Sequence, residues 1–246
     1  HIQMSNTKCL TLPTIITLNR SMRKDTFVSE EYYHIYNRGV EKRTIFLDDA
    51  DKWRFLTLLL VLQGKTIIPQ IGRTVSLVKH LVFDKRSFTE EREILKDVLV
   101  NRTIKLVCFC LMPNHFHLIL QQIEDAGISN FMQRLGDAYT KYFNIKYERS
   151  GHLFGGVFQS RLIDQNEYLT YVSAYIHLNP RELKKWCKKE YQYPWSSFQD
   201  YDMQNRWGAF LETSVIMNQF QKGEYQKFVT KSDIKNTVED EYFIDS

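Results

Sequence analysis

The chain has 246 residues, of which 43% are hydrophobic, and a formal net charge of +4. This length and composition predict one large domain, with or without extensions, around a sizeable hydrophobic core. Only 10 glycines and 5 prolines argue against a low-complexity chain. No apolar stretch approaches the ~18 residues of a membrane helix, which argues against a membrane protein.

The first part of the chain predicts a strand followed by helices. Aromatic and β-branched residues over 31–37 (EYYHIYN) predict a strand, which the turn residues NRG end. Residues 49–62 begin with acidic residues and continue apolar at helical spacing, so they predict a helix. Within the less regular segment 64–101, residues 86–100 predict a further helix, with Thr89 as a candidate N-cap.

The middle of the chain predicts a hairpin and a long helix. Two apolar runs, 104–111 and 115–121, flank Pro113 and Asn114. Proline followed by asparagine is turn chemistry, so an antiparallel hairpin is predicted. Over residues 127–147, apolar side chains recur every three or four positions, which predicts an amphipathic helix.

The remaining elements complete the predicted fold. Residues 157–163 predict a strand, and residues 165–178 predict a helix that ends at Asn179–Pro180. Short helices are predicted at 213–220 and 223–230. The order strand, helix, strand, strand, helix, strand, helix predicts an α+β fold, in which helices pack on one face of an antiparallel sheet.

Three segments are predicted along the chain: an N-terminal extension (1–27), a core domain (28–200) and a C-terminal helical extension (201–246). The extension ends in the acidic sequence VEDEYFIDS, whereas residues 181–189 are strongly basic. A basic body with an acidic tail fits a protein that binds a polyanion. A solvated face and a disordered end would give the same charge pattern.

The cysteines indicate a reducing environment. The four are Cys9, Cys108, Cys110 and Cys187, and none forms a CxxC pair. Cys108 and Cys110 fall in an apolar run, where a small buried thiol is the expected state. Since no signal peptide is recognisable, we expect a cytoplasmic protein with reduced cysteines.

Two histidines in the stretch MPNHFHLIL are candidates for a metal site. Side chains alternate between the faces of a strand, so His115 and His117 point the same way, about 7 Å apart, while Phe116 points into the core. Two imidazoles at this spacing can bind one metal ion, with an oxygen ligand from elsewhere. Two polar residues on an exposed strand face would give the same pattern.

A stripe of tyrosines occupies one face of the predicted helix 165–178. Tyr168, Tyr171 and Tyr175 follow at three- and four-residue spacing, and Asn179 continues the stripe one turn later. Core packing explains such a stripe, especially for Tyr168 and Tyr171. A tyrosine hydroxyl can also attack a phosphate. Its pKa of about 10 keeps it protonated at neutral pH, and a metal that polarises the phosphate makes attack by this hydroxyl easier.

Four segments of the chain, in order, carry a resemblance to a known family. They are YYHIYNRGVEKRTIFLDDADKWRFL (32–56), CLMPNHFHLIL (110–120), ISNFMQRLGDAYTKYFNIKYERSGHLFGGVFQSRLI (128–163) and YVSAYIHLNPRE (171–182). They resemble the REP-associated tyrosine transposases, the IS200-like family of single-tyrosine HUH transposases. In this family HUH denotes histidine, a bulky apolar residue and histidine, which matches the HFH of the second segment.

The resemblance implies a fold and a nucleophile. The family fold is a ferredoxin-like antiparallel sheet with flanking helices, of the HUH nuclease type. Its nucleophilic tyrosine lies in a Tyr-Ile-x-x-Asn-Pro element of the last helix, which YIHLNP (175–180) resembles. The match implies that Tyr175, rather than Tyr168 or Tyr171, is the nucleophile.

The resemblance also implies an activity, that of a metal-dependent single-strand DNA endonuclease and strand transferase. His115, His117 and Asn179 would hold Mg²⁺ or Mn²⁺, and attack by Tyr175 would give a 5′-phosphotyrosine and a free 3′-OH. The expected partner is single-stranded repeat DNA with a hairpin, bound by a monomer or a homodimer. Segment 64–101 and the region after residue 200 depart from the family pattern, which leaves the oligomeric state and the DNA specificity open.

Two other functions are compatible with parts of the sequence. The protein could be a non-cleaving regulator that binds DNA hairpins and derives from such a transposase. It could also be a Zn²⁺ hydrolase acting on small molecules, although the chain lacks an HExxH motif and a clear third histidine or cysteine ligand.

Basic residues interleaved with aromatic residues predict a DNA surface around the proposed site, because single strands are held by phosphate pairing and base stacking. The set comprises Arg38, Lys42, Arg43, Arg134, Lys141, Arg161, Lys184, Lys185, Lys188 and Lys189. Taken one at a time, each is better explained as a solvated surface charge than as a DNA contact. His34, His152 and His177 are interpreted as structural.

Overall fold

Four strands form one antiparallel sheet in the computed structural model, which describes residues 27–83 and 93–231. The strands are β1 (Tyr32–Arg38), β2 (Ile104–Met112), β3 (His115–Gln122) and β4 (Gln159–Ile163), and their order in the sheet is β2-β3-β1-β4. Helix α1 (Asp49–Val61) connects β1 to β2, and α4 (Gly127–Lys146) connects β3 to β4. This βαββαβ connection with that strand order is the ferredoxin-like arrangement, so the predicted fold class is confirmed.

Helices cover both faces of the sheet. Phe116 of β3 packs against Phe55 of α1, with 5.0 Å between ring centroids, and Phe55 packs against Tyr139 of α4. The opposite face of the sheet is covered by α5 (Asn166–Leu178), which packs on β2, β3 and β4. The expectation that all helices lie on one face was therefore wrong, because α5 returns under the sheet after β4.

Hydrogen bonds and an ion pair of two aspartates fix the start of helix α1. Helix α1 begins after Asp48, whose carboxylate accepts from the backbone of Asp51, and Asp51 accepts from the backbone of Asp48 in return. Asp51 is fully buried, and Lys146 at the end of α4 donates to it at 2.7 Å. This capping box and ion pair join α1 to α4 on the face that carries Phe116.

The segment between α1 and β2 contains two helices. Helix α2 (Ile71–Phe83) was not predicted, whereas the helix predicted over 86–100 is found as α3 (Glu93–Val100). The proposed N-cap Thr89 lies outside the described residues. No helix in the described ranges 27–83 and 93–231 is long and apolar enough to cross a membrane.

The chain after residue 190 packs on β2 and α5. Its helices are α6 (Gln199–Asp202), α7 (Ser214–Met217) and α8 (Glu224–Lys231). His177 of α5 is at the centre of this contact: it hydrogen-bonds Ser197 at 2.8 Å and Tyr225 of α8 at 2.7 Å, and it lies 3.2 Å from the Cys108 sulfur. We propose that residues 201–231 belong to an extension built onto the core domain. The acidic tail and residues 1–26 lie outside the described residues.

The buried His177 predicts acid sensitivity of the fold. Burial lowers the pKa of His177 from 6.5 to about 3, so its ring is neutral in the folded protein. An unfolded chain takes up this proton near its ordinary pKa of about 6.5. The stability that depends on neutral His177 is therefore complete above that pH and is lost as the pH falls toward 3. As the pH falls through this range, we expect His177 alone to lower the free energy of unfolding by up to ~1.4 kcal/mol for each pH unit.

Urea unfolding at a series of pH values between 7 and 4 measures this effect. His177→Gln keeps hydrogen-bonding groups but does not titrate, so its pH dependence should be shallower than that of the wild type. The matched control is His152→Gln, because His152 is exposed. Equal slopes for wild type and His177→Gln would contradict the prediction.

Candidate active site

His115 and His117 lie side by side on the face of β3 that α5 covers. Their ring centroids are 5.2 Å apart and their planes are nearly perpendicular. Only 5% of His115 and 1% of His117 is exposed. Phe116 points to the other side of the sheet, as strand alternation predicts, and its ring contacts Phe55 and Phe154.

Helix α5 brings Tyr175 and Asn179 to the same place. The ring of Tyr175 meets the ring of His117 edge-on, with 5.5 Å between centroids. Asn179 follows one turn later, where Pro180 turns the chain from α5 into a short 3₁₀ segment. Its amide nitrogen donates to the Tyr175 carbonyl at 3.0 Å, which directs the amide oxygen to within 3.4 Å of His115 Nε2. The structure thus brings together the four residues that the motif comparison singled out.

The hydrogen bonds of His115 determine which ring nitrogen is available. Its Nδ1 lies 2.7 Å from the side-chain oxygen of Asn114, which can only accept, so Nδ1 carries the proton. In the neutral ring, Nε2 then presents its lone pair to the amide oxygen of Asn179, 3.4 Å away. Two acceptors that face each other repel, unless a cation lies between them.

His117 contributes a further nitrogen without a partner. Its Nδ1 lies 2.9 Å from Nε2 of His34, whereas its Nε2 is buried and has no hydrogen-bond partner in the described part of the chain. Burial, together with nearby His34, His115 and Arg38, holds the pKa of His117 well below its ordinary value. The ring is therefore neutral, which is the protonation state that binds a metal.

These groups form a donor set that fits a divalent cation. The rings of His115 and His117 lie together on β3, and the Asn179 amide oxygen approaches His115 Nε2 from the end of α5. The buried Nε2 of His117 lacks a partner among the described residues. No group of three His, Cys, Asp or Glu side chains suited to a metal occurs in residues 27–83 and 93–231. Within that part, the third donor next to the two histidines is the amide of Asn179, which gives a mixed nitrogen and oxygen set with fewer protein donors than the closed, four-coordinate sites of structural Zn²⁺.

His34 is a site residue that the sequence interpretation missed. It lies on β1, and the sheet register places it beside Ile119 and next to the pair Tyr36 and His117 on the same face. Burial, and then the charge of Arg161, lowers the pKa of His34 to about 3, so it meets His117 as a neutral ring. Alternation within EYYHIYN places His34 on one face of its strand. Whether that face is the one that carries His115 and His117 depends on the register between β1 and β3.

The predicted DNA-binding residues fall into separate groups. Arg38 lies opposite His115 in the sheet, and Arg161 lies opposite His34, so both project from the face that carries His115 and His117. Lys42 is in the turn after β1, where its carbonyl accepts from Asn114, and Arg43 follows it. Lys184 and Lys185 are exposed residues just after the 3₁₀ segment that follows α5, as are Lys188 and Lys189.

Two members of that set lie elsewhere. Lys141 of α4 lines a groove of about 1100 Å³ on the opposite side of the sheet, next to the glycine-rich loop 151–158. Arg134 donates to the carbonyls of Leu62, Gly64 and Thr66, the shortest bond being 2.6 Å to Gly64. Its guanidinium therefore holds the loop after α1.

Comparison with known proteins supports the resemblance seen in the motifs. Residues 74–179 match the model of the family described as "Transposase IS200 like". A solved structure, described as a REP-associated tyrosine transposase bound to a REP hairpin, is 12% identical in sequence; the similarity covers 79% of this chain and 93% of that chain, with a TM-score of 0.46. No curated protein matches the chain. The family match confirms the predicted resemblance. Its range includes His115, His117, Tyr175 and Asn179, whereas His34 and its strand lie outside it.

Proposed function

We propose that the protein cleaves and rejoins single-stranded DNA, because the region that carries His115, His117, Tyr175 and Asn179 matches the model of the IS200-like transposase family. The observation that carries this proposal is the convergence of three metal donors beside a tyrosine ring on one sheet face. The substrate is hairpin-containing repeat DNA, as the family resemblance implies. Family members generally use a divalent metal, and the donor set here accommodates one.

The residues divide the chemistry between the strand and the helix. His115 and His117 of β3 and Asn179 of α5 would hold Mg²⁺ or Mn²⁺, which when bound polarises the scissile phosphate and stabilises its developing charge. Helix α5 presents Tyr175 next to these ligands, which sets the attacking hydroxyl against the phosphate. The buried imidazoles of His117 and His34 are neutral, so neither ring adds a positive charge beside the proposed metal ligands.

The transfer balances without an external energy source. The Tyr175 oxygen forms a bond to phosphorus and loses its proton, while the bond from phosphorus to the 3′-oxygen breaks and that oxygen takes up a proton. The products are a 5′-phosphotyrosine and a free 3′-OH. Attack by a second 3′-OH reverses the exchange and joins a new strand. One phosphodiester replaces another, so no ATP is required.

We propose that a single chain supplies this set of side chains. Helix α5 packs on the sheet of its own chain, so Tyr175 and Asn179 face the histidines of the same molecule. We propose that the DNA runs over Arg38, Lys42, Arg43 and Arg161 and onward to Lys184 and Lys185. Lys141 would contact DNA that also reaches the groove on the other face. Arg134 is left out of this surface because its donors are engaged by backbone carbonyls.

A non-cleaving DNA-binding regulator is the second candidate. Only 6% of Tyr175 is exposed, and a tyrosine that stays buried could not reach a phosphate. Trapping a covalent adduct between the protein and a labelled DNA hairpin in Mn²⁺ distinguishes the two functions. Binding of the hairpin with no adduct in any metal would favour the regulator.

His34 predicts a change in metal affinity that can be measured without DNA. If His117 binds a metal through Nε2, its Nδ1 carries the proton and donates to His34 Nε2. His34→Leu removes this acceptor and leaves a buried donor unpaired, so we expect Mn²⁺ affinity to fall about 10- to 100-fold. His34→Gln offers an amide oxygen as an acceptor and should recover part of the lost Mn²⁺ affinity.

Isothermal titration with Mn²⁺ on the protein alone gives the measurement. Tyr36→Phe is the matched control, because the Tyr36 ring also packs against His117, at 6.0 Å between centroids, without a hydrogen bond to its nitrogens. Wild-type affinity in His34→Leu would show that His34 does not orient His117.

A further inference from the structure

A second concave feature lies beside the turn between β2 and β3. It is a pocket of about 570 Å³, lined by residues that include Pro113, Leu183 and Trp186. Pro113 precedes His115 by two residues, and consecutive Cα atoms are 3.8 Å apart, so their Cα atoms are within about 8 Å of each other. Leu183 follows Asn179 by four residues. The pocket therefore lies next to the proposed metal site, at the same end of the sheet.

The wall of this pocket combines an accessible aromatic ring with lysines. Trp186 is only partly buried, and Tyr193 supports it from the side, with 5.4 Å between ring centroids at 70°. Lys185 holds its ammonium group 5.0 Å from the centre of the Trp186 ring. The Trp186 side chain is therefore partly exposed in the pocket, whereas only 7% of the neighbouring Trp195 is exposed.

The charge at the pocket rim is available for an anion. Lys184 and Lys185 are exposed, and neither has a carboxylate within 4.0 Å in the part of the chain that the structure describes. Lys52, on the opposite wall, is instead paired with Asp49 at 3.0 Å. The positive charges of the pocket that have no carboxylate partner among the described residues therefore lie on the same segment as Trp186, just after the 3₁₀ segment that follows α5.

We propose that this pocket binds an unpaired nucleobase of the DNA strand that flanks the cleaved phosphodiester. The base stacks on Trp186, and the adjoining phosphates pair with Lys184 and Lys185. A single strand is held by this combination of aromatic face and neighbouring cations, and the volume of the pocket is within the range of small-ligand sites. The inference rests on the proposed function, because it assigns part of the substrate to a place beside the proposed site.

Fluorescence of 2-aminopurine tests the assignment. The base analogue is placed at successive positions on both sides of the cleavage position in a single-stranded hairpin substrate, and binding is measured in EDTA so that the strand stays intact. In the wild type, one or two adjacent positions should be quenched by stacking. Trp186→Ala should abolish this quenching and weaken binding about 10-fold or more, whereas Trp186→Phe should retain most of both.

Two controls separate stacking from general damage. Tyr191→Ala removes another partly exposed aromatic residue of the same segment that does not line the pocket, and it should leave quenching unchanged. The double variant Lys184→Gln/Lys185→Gln changes only exposed side chains, so it remains informative if Trp186→Ala unfolds. It should reduce the slope of log affinity against log salt by about 1.4, as expected for two phosphate contacts on a single strand.

The outcomes for the pocket and for the nuclease can be told apart. Unchanged quenching and affinity in Trp186→Ala, or no quenched position in the wild type, would overturn the assignment of the pocket as a nucleobase site. If the wild type still forms a covalent adduct in Mn²⁺, the nuclease function survives that result. Quenching that depends on Trp186, without any adduct in Mn²⁺, would support the pocket and refute cleavage.

Discussion

Tyr175→Phe is expected to abolish the covalent protein–DNA adduct. The substitution removes only the hydroxyl that would attack phosphorus, and the remaining ring can still pack against His117 and His34. Loss of a nucleophile lowers the rate by several orders of magnitude, so we expect a decrease of at least about 10³-fold in adduct formation. Binding of Mn²⁺ and of hairpin DNA should change little.

The assay uses a substrate labelled at its 3′ end, because the fragment that carries the 5′-phosphate stays attached to the tyrosine. A denaturing gel then separates the labelled protein from free DNA. The matched control is Tyr171→Phe, one turn earlier on α5, where the ring packs against Phe228 of α8 at 5.5 Å. It should form the adduct at the wild-type rate. An adduct in Tyr175→Phe, or its loss in Tyr171→Phe, would show that the nucleophile is wrongly assigned.

Local periodicity accounts for the part of the site that was predictable. Strand alternation places His115 and His117 on one face and Phe116 on the other, and helical spacing places Tyr175 and Asn179 one turn apart. Both patterns depend only on residues close in sequence. The structure agrees with each of them.

Contacts between distant segments account for what was missed. His34 and His117 are 83 positions apart, and their hydrogen bond depends on the pairing register of β1 and β3, which neither strand encodes alone. Arg134 has the spacing and charge of a DNA contact, yet it faces the carbonyls of residues 62–66 because the loop after α1 returns to α4. The position and charge of a side chain on a helix do not show which distant backbone groups it contacts.

The placement of α5 follows from packing on both of its sides. The side with Tyr175 covers the histidines, and the side with His177 is held by Ser197 and by Tyr225 of α8. The chain after residue 190 therefore fixes the helix that carries the proposed nucleophile and that precedes the proposed amide ligand. Fixing the helix in this way limits the movement of Tyr175 and Asn179 relative to β3. The proposed phosphoryl transfer requires such fixed positions of the reacting groups.

His115→Ala is expected to eliminate metal-dependent cleavage while leaving DNA binding intact. The substitution removes one of the two imidazole donors, and the oxygen of Asn179 would then face a gap instead of Nε2. Loss of a direct ligand should lower Mn²⁺ affinity by more than the 10- to 100-fold typical of outer-sphere changes. His115 is a better choice than His117, because removing His117 would also leave the buried His34 without its hydrogen-bond partner.

Three measurements on the same variant isolate the role of the metal. Calorimetry reports Mn²⁺ affinity without DNA, hairpin binding in EDTA reports the DNA surface, and the gel assay reports cleavage across a range of Mn²⁺ concentrations. Asn179→Asp provides the opposite change: it keeps an oxygen donor and adds a negative charge, so it should bind Mn²⁺ at least as tightly as the wild type. If His115→Ala keeps wild-type Mn²⁺ affinity and cleavage, the converging donors of β3 and α5 do not form the metal site. If it loses hairpin binding in EDTA as well, His115 acts through the DNA surface instead.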